Sequence, residues 1–250
     1  MNQHHTLGHT HPIILLIDEI TAIFTDMGFS VAEGRELVSE NDNFDVLNFP
    51  KDHPARDMQD TFYIDTNKTS GTNRLLRTQT SSVQVPYMKE AILPIQMIVP
   101  GKVFRNESTD ATHEMQFFQL EGMVINKTAN VADLKKTLED FLTKVFKKEA
   151  EIRMRPSFFP FVEPGYEVDM NCFKCGGQTD ICSVCKGSGW IEILGAGMIH
   201  PNVLRAGGID PRLYQGFAFG CGIDRIAMLK WGIDDVRLLY NGDVRVVAQF

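Results

Sequence analysis

Ile13, Ile17, Ile20, Phe24 and Met27 recur at helical spacing behind Thr10 and Pro12, and the pattern stops at Gly28, which predicts an amphipathic helix. Residues 31–54 mix acids, Asn and Pro with scattered Phe, Val and Leu. That stretch reads as a short strand followed by a long structured loop of the kind that often carries function. Residues 60–65 read as a strand and 67–73 as a polar turn, and a Thr/Ser-rich segment precedes a short helix near 88–93. Residues 95–104 and 117–125 are β-rich and flank the polar run 105–114, a strand-loop-strand. Asn130 caps a long helix through Asp133, with Leu134, Leu138, Phe141, Leu142 and Val145 on its inner face. Residues 157–168 read as extended segments broken by Pro160 and Pro164. Residues 190–199 alternate as a strand, 216–220 form a short glycine-bounded strand, and 224–231 form a final buried helix ended by Gly232. Antiparallel connections with helices between them predict an α+β domain.

A chain of 250 residues, 43% apolar and 23% charged, has enough apolar side chains for a sizeable core and is neither disordered nor collagen-like. The longest apolar run, residues 12–17, is too short to span a bilayer, and the polar, histidine-rich stretch before it is no secretory signal. The simplest reading is a cytoplasmic protein. His4, His5, His9 and His11 read as a flexible terminus or part of a pattern before Pro12 rather than a metal site. A net charge of −7 repels nucleic acid, so any such contact must be local or shared with a partner.

Four of the five cysteines fall in two CxxC pairs, Cys172/Cys175 and Cys182/Cys185, followed by Gly176-Gly177 and by Gly187-Ser188-Gly189. Each pair can place two thiolates on one tetrahedral ion, and the glycines permit the tight turns that aim amides at sulfur. This predicts a structural zinc site in an insert at 170–189; four reduced surface thiols are the bland alternative. The CxxCxGxG form also resembles the cysteine-rich repeats of DnaJ-type chaperones. Cys221 reads as a small buried residue in a glycine turn.

On a strand, Phe117, Gln119 and Glu121 share one face, an unusual set for a core. Arg105 could grip a phosphate, while Glu121 and Gln119 could bind an ammonium or hydroxyl. A solvated hairpin with a surface ion pair fits the same spacing. In Gly216-Phe217-Ala218-Phe219-Gly220-Cys221-Gly222-Ile223-Asp224-Arg225 the glycines permit close backbone approach to a ligand, with Arg225 at a helix start.

Taken together these stretches resemble the catalytic α subunits of bacterial phenylalanyl-tRNA synthetases, a class II aminoacyl-tRNA synthetase family. The resemblance rests on HPARDMQDTFY at 53–63, LLRTQTSSVQ at 75–84, residues 101–122, RPSFFPFVEPGYEVD at 155–169, and residues 190–232. It implies the class II catalytic fold over 1–250, an antiparallel sheet flanked by helices, with the first helix near a subunit interface. The implied activity is ATP-dependent formation of phenylalanyl-adenylate and transfer to tRNA(Phe), in an α2β2 heterotetramer whose β subunit supplies editing and tRNA contacts. Carried over residue by residue, Arg105 and Glu107 are catalytic, and Arg105, Glu107, His113, Phe117 and Arg225 bind ATP. Gln79, Ser81, Gln119, Glu121, Phe159, Phe161, Ala218 and Gly220 bind the amino acid, with Phe159 and Phe161 edge-to-face on its ring and Ala218 as the floor. Glu163 matches a Mg²⁺ position at the boundary with β, or else caps a backbone amide. The chemistry is in-line displacement at phosphorus without a nucleophilic side chain, and an apolar slot rejects tyrosine incompletely.

Phe118 stands where members often carry a histidine, and Gln79 and Gln59 stand where others carry His and Trp. Family α subunits begin with a coiled-coil arm that binds tRNA, whereas this sequence starts almost directly at the catalytic motifs, which reads either as a piece of a longer chain or as an armless form. Adenylation is therefore expected to survive better than tRNA charging, and equal tRNA affinity with and without an added arm would refute that. The alternative reading is a repurposed, non-catalytic relative acting as a zinc-containing binding or regulatory protein.

Overall fold

Proline at position 12 opens the first helix where its missing N–H costs nothing, and His11 accepts the Ile13 amide at 3.2 Å. Helix α1 (Pro12–Asp26) buries Ile13, Leu16, Ile20 and Phe24. The structure, a computed structural model, describes residues 8–51, 61–64 and 73–250. Within them follow β1 (Ser30–Val31), β2 (Leu37–Ser39), α2 (Glu40–Asn43), β3 (Tyr63–Ile64), β4 (Arg74–Leu76), α3 (Gln84–Glu90), β5 (Ile95–Phe104), β6 (Gln116–Asn126), α4 (Val131–Phe146), β7 (Ile152–Phe159), β8 (Val162–Asn171), β9 (Trp190–Ile199), α5 (Pro201–Ala206), β10 (Gln215–Gly222), α6 (Ile223–Trp231) and α7 (Val244–Val247).

The main sheet has the order β1-β5-β6-β10-β9-β8-β7 and is antiparallel except for the β1–β5 pair. Strand alternation divides its side chains between two cores. Leu120, Phe217 and Phe219 pack with the apolar stripes of α1, α4 and α6. Phe24 sits at the centre, with ring centroids 4.8 Å from Phe141 and 5.6 Å from Phe219. Met97, Val99, Met123, Ile125 and Ala218 face the other way, toward Phe44, Leu47, Met88 and Leu204. A small sheet, β2-β4-β3, lies beside that second core.

The expected capping box is present: Asn130 accepts the Ala132 and Asp133 amides while Asp133 accepts the Asn130 amide. The long loop is more ordered than its composition suggests, because Ser39 caps α2 and a 3₁₀ turn at Asp45–Leu47 follows. The short helix begins at Gln84 and ends at Glu90, earlier than the 88–93 expectation. Pro164 does not break its strand, since it falls where the β8–β9 register shifts between Val162 and Gly165, and Pro156 is tolerated because β7 is the sheet edge. The helix ended by Gly232, at φ 67, is not the last element. A 3₁₀ turn at Val236–Leu239 and α7 come after it, each entered through an aspartate side chain accepting an amide. His9 and His11 tie chain ends together rather than forming a flexible tail: His11 Nε2 lies 2.8 Å from the Leu239 carbonyl and His9 Nδ1 3.0 Å from that of Phe250. His4, His5, residues 53–60 with Gln59, and the polar turn at 67–72 lie outside the described residues.

Candidate active site

Small residues at the middle of the sheet make room that larger side chains would fill. Ala218 and Gly220 of β10 pair with Met123 and Glu121 of β6 on one side and with Gly197 and Gly195 of β9 on the other. Above this shallow floor opens a cavity of about 570 Å³, bordered by Gln79, Ser81, Arg105, Gln119, Glu121, Phe159, Phe161, Ala218 and Gly220. Phe159 and Phe161 stack at 6.0 Å between centroids, and Phe49 backs Phe161 at 5.7 Å. One wall is therefore aromatic and the other polar.

Glu121 is the polar anchor. Ser81 Oγ donates to one of its carboxylate oxygens at 2.7 Å, and Gln84 Nε2 donates to the other. Burial pushes the carboxyl up to about 7, against the two hydrogen bonds that favour its charged form. The Gln84 carbonyl oxygen is buried with no partner. A Cβ at Gly220 would lie 3.1 Å from Glu121 Oε2, so the glycine leaves the carboxylate space. Gln119 accepts the Thr80 amide at 3.3 Å, and Gln79 donates to the Asn43 carbonyl at 3.2 Å. Gln84 is the polar residue that the sequence reading missed; its signal was the three-residue spacing from Ser81, which places both on the first turns leading into α3.

A second cavity, about 170 Å³, is bordered by Arg105, Glu107, His113, Phe117, Asp224, Arg225 and Val236. Arg105 borders both cavities. Its Nε donates to the Thr78 carbonyl at 3.2 Å, and its guanidinium stands 5.0 Å from the Phe117 ring centroid and 3.9 Å from Glu107. Burial lowers its pKa and Glu107 opposes that, while a guanidinium stays charged under any physiological condition. In the connecting loop, Asp110 accepts the Thr112 and His113 amides and pairs with the His113 ring at 3.0 Å. Those contacts hold the Asp110 carboxyl well below the usual range. Arg225 is exposed at the cavity rim.

The four insert cysteines converge as expected. Their sulfur atoms all lie within 4.8 Å of one another, with Cys172–Cys182 at 3.8 Å and Cys175–Cys185 at 3.4 Å. These separations exclude disulfides and approach the edge of a tetrahedron with metal–sulfur bonds of about 2.3 Å. Amide groups of Cys185 and Val184 draw the Cys182 thiol down to about 6. Gly176, Gly177, Gly187 and Gly189 take positive φ in the turns that make this possible. Glu163 is exposed and its carboxylate lies 3.6 Å from His200 Nε2. Among the described residues, the four cysteines are the sole cluster of three or more His, Cys, Asp or Glu with metal-binding spacing. Cys221 is buried, and burial beside Glu121 pushes its thiol up to about 12.

The profile of the tRNA synthetases class II core domain (F) matches residues 1–250. The phenylalanine–tRNA ligase alpha subunit of Bacillus subtilis strain 168 is 56% identical over 98% of this chain and 69% of its own length. That of Lachnoclostridium phytofermentans is 54% identical over 98% of the chain and 70% of its own length. Among solved structures, the crystal structure of pyrrolysyl-tRNA synthetase from Desulfitobacterium hafniense shares the fold, with TM-score 0.67 and 16% identity over 92% of this chain and 73% of that one. The chain belongs to the class II tRNA synthetases and, within them, to the phenylalanine–tRNA ligase alpha subunit family. Among the described residues, no helix is long and apolar enough to cross a membrane.

Proposed function

We propose that the chain activates phenylalanine with ATP, forming phenylalanyl-adenylate and pyrophosphate, and transfers the phenylalanyl group to tRNA(Phe). The observation that carries this is the position of Arg105 on the boundary of both cavities. A condensation of two ligands needs its charge-stabilising group where the ligands meet.

The aromatic wall of Phe159 and Phe161 suits the substrate ring, with Ala218 as floor. The ionised Glu121 suits its ammonium, with Ser81, Gln79 and Gln119 beside it and Gln84 holding the carboxylate. The substrate carboxylate then points toward Arg105 and the second cavity. Phe117, Arg225, Glu107 and His113 border that cavity, which supports a reading in which Phe117 stacks on adenine, Arg225 sandwiches the ring or reaches the γ-phosphate, and Glu107 and His113 contact the triphosphate. Attack of a carboxylate oxygen on the α-phosphorus forms the mixed anhydride as the bond to pyrophosphate breaks, and the Arg105 guanidinium neutralises charge on the non-bridging oxygens. No protein nucleophile takes part. Bound Mg²⁺ would offset phosphate charge. A magnesium ion at Glu163 would draw further oxygens from a β subunit, since Glu163 belongs to no group of three or more His, Cys, Asp or Glu with metal-binding spacing among the described residues. Zinc fits the four cysteines as a structural ion.

The working enzyme is an α2β2 assembly in the cytoplasm, with tRNA reaching this acidic chain through surfaces shared with β. A non-catalytic relative would have no use for a guanidinium bridging two cavities or for a buried carboxyl facing an aromatic slot. Incubating the chain with its β subunit, ATP, labelled phenylalanine and tRNA(Phe) should yield ester-linked phenylalanyl-tRNA. No charging, with the same tRNA competent toward a known synthetase, would contradict the proposal.

A further inference from the structure

The aromatic wall is carried by the tip of the β7–β8 hairpin, where Pro160 and Phe161 form the turn between strands. β7 is the edge of the sheet, so the ladder holds this tip from one side only. Two hydrogen bonds from outside the hairpin complete its support. Asn48 Nδ2 donates to the Pro160 carbonyl at 2.7 Å, and the His200 amide donates to the Phe161 carbonyl at 2.9 Å. Asn48 is itself fixed: its Oδ1 accepts Asn202 Nδ2 at 2.9 Å, and Asn202 Oδ1 accepts from Arg205 at 2.8 Å. The Asn48 backbone is left-handed, at φ 63 and ψ 24, closing the 3₁₀ turn and delivering Phe49 against Phe161. A non-glycine residue in that region is uncommon, and asparagine tolerates it best. One residue thus aims its amide at the hairpin tip and its neighbour's ring at the wall.

We infer that Asn48 is a positioning residue for substrate selectivity, holding the Phe159–Phe161 wall of the amino-acid cavity in place through the Pro160 carbonyl. The inference rests on the phenylalanine reading above. A wall free to shift would accept the extra hydroxyl of tyrosine more readily and grip phenylalanine less well, while the nucleotide cavity shares no residue with this network.

The test uses the assembled enzyme and amino-acid-dependent ATP–pyrophosphate exchange with phenylalanine and with tyrosine. Asn48→Gly keeps the left-handed backbone accessible and removes only the amide. It should raise the KM for phenylalanine and lower the phenylalanine-to-tyrosine preference by about three- to tenfold, the range set by one lost hydrogen bond. The KM for ATP should stay within about twofold. Asn48→Asp retains shape and the bond from Asn202 but sets a carboxylate against a carbonyl, so it should lose more selectivity than Asn48→Gly. A side chain that merely fills space would reverse that order. Asn202→Ala, at an exposed position, should shift preference in the same direction by less, and it decides the matter if neither Asn48 variant folds.

Unchanged preference in these variants, or a KM for ATP that rises in parallel, would overturn the inference while leaving the synthetase reading intact. Absence of phenylalanine-dependent exchange in the unmodified enzyme would remove the reading and the inference together.

Discussion

The carboxylate of Asp224, at the start of α6, accepts the backbone amide of Phe118 in β6 at 2.7 Å. The β10–β6 ladder ends at the Gly222–Gln119 pair, so Asp224 satisfies the next amide that the sheet leaves open. This link fixes Arg225, one residue on, relative to Phe117, one residue back, across the proposed adenine cavity. Tyr240 donates to the other Asp224 oxygen, and the Val236 amide donates to the Ala111 carbonyl at 2.9 Å in the loop between β5 and β6. The segment after α6 therefore braces both sides of the nucleotide cavity.

Tyr240→Phe should accordingly act on ATP and not on phenylalanine. Burial already raises the Asp224 carboxyl, and the Tyr240 hydroxyl counteracts that. Removing the hydroxyl should raise the KM for ATP by about tenfold, in keeping with a hydrogen bond to a charged group, and leave the KM for phenylalanine nearly unchanged. Steady-state exchange with each substrate varied in turn checks this. Equal effects on both KM values would mean the contact only stabilises the fold.

The buried Glu121 carboxyl sets a pH dependence. In the unliganded fold it holds its proton up to about 7, whereas unfolded it releases it near 4.5. Folding thus takes up a proton between those values. The associated stability is fully present below the unfolded value and is lost as pH rises through 7, by at most about 3 kcal/mol. An ammonium ligand needs the ionised form, so phenylalanine affinity should weaken as pH falls through 7. Calorimetric titration between pH 5.5 and 8.5 reads the affinity trend, and thermal or denaturant unfolding over the same range reads the stability trend, each against Glu121→Gln, which should bind phenylalanine weakly and without that pH dependence. A pH-independent affinity in the unmodified protein would refute the assigned contact.

Metal analysis of the purified protein should find about one zinc ion per chain, because four converging thiols form a closed tetrahedral site. Cys175→Ser should lose the metal and lower the melting temperature. Lys148 Nζ donates to the Phe173 carbonyl and Phe146 stacks on Phe173 at 5.3 Å, so disorder in the insert would reach the end of α4. A metal-free protein with unchanged melting would show the four sulfurs to be reduced thiols only.

Much of this was legible in the chain. The α1 and α4 stripes, the β5–β6 pair, the two CxxC turns and the Phe117/Gln119/Glu121 alternation follow from local periodicity and spacing. Gln84 was overlooked because it falls before the helix expected at 88–93, in a Thr/Ser-rich segment whose polarity looks solvent-facing until Glu121 arrives from a distant strand. Asn48, Tyr240 and Val236 act through partners 112, 16 and 125 positions away, contacts that no local pattern encodes. Residues 36–48 were read as a structured loop, but the short helix and 3₁₀ turn within it were not anticipated for a related reason: they depend on a Ser39 cap and on an Asn43 amide bonded to the distant Thr78.

The central claim is that Arg105 joins an amino-acid cavity to a nucleotide cavity for a single reaction. Phenylalanine-dependent ATP–pyrophosphate exchange by the chain with its β subunit, compared with Arg105→Ala, tests it most directly. The account predicts exchange with phenylalanine well above tyrosine, falling about 100- to 1,000-fold in the variant. Exchange that persists undiminished in Arg105→Ala, or that no amino acid supports in the unmodified enzyme, would contradict it.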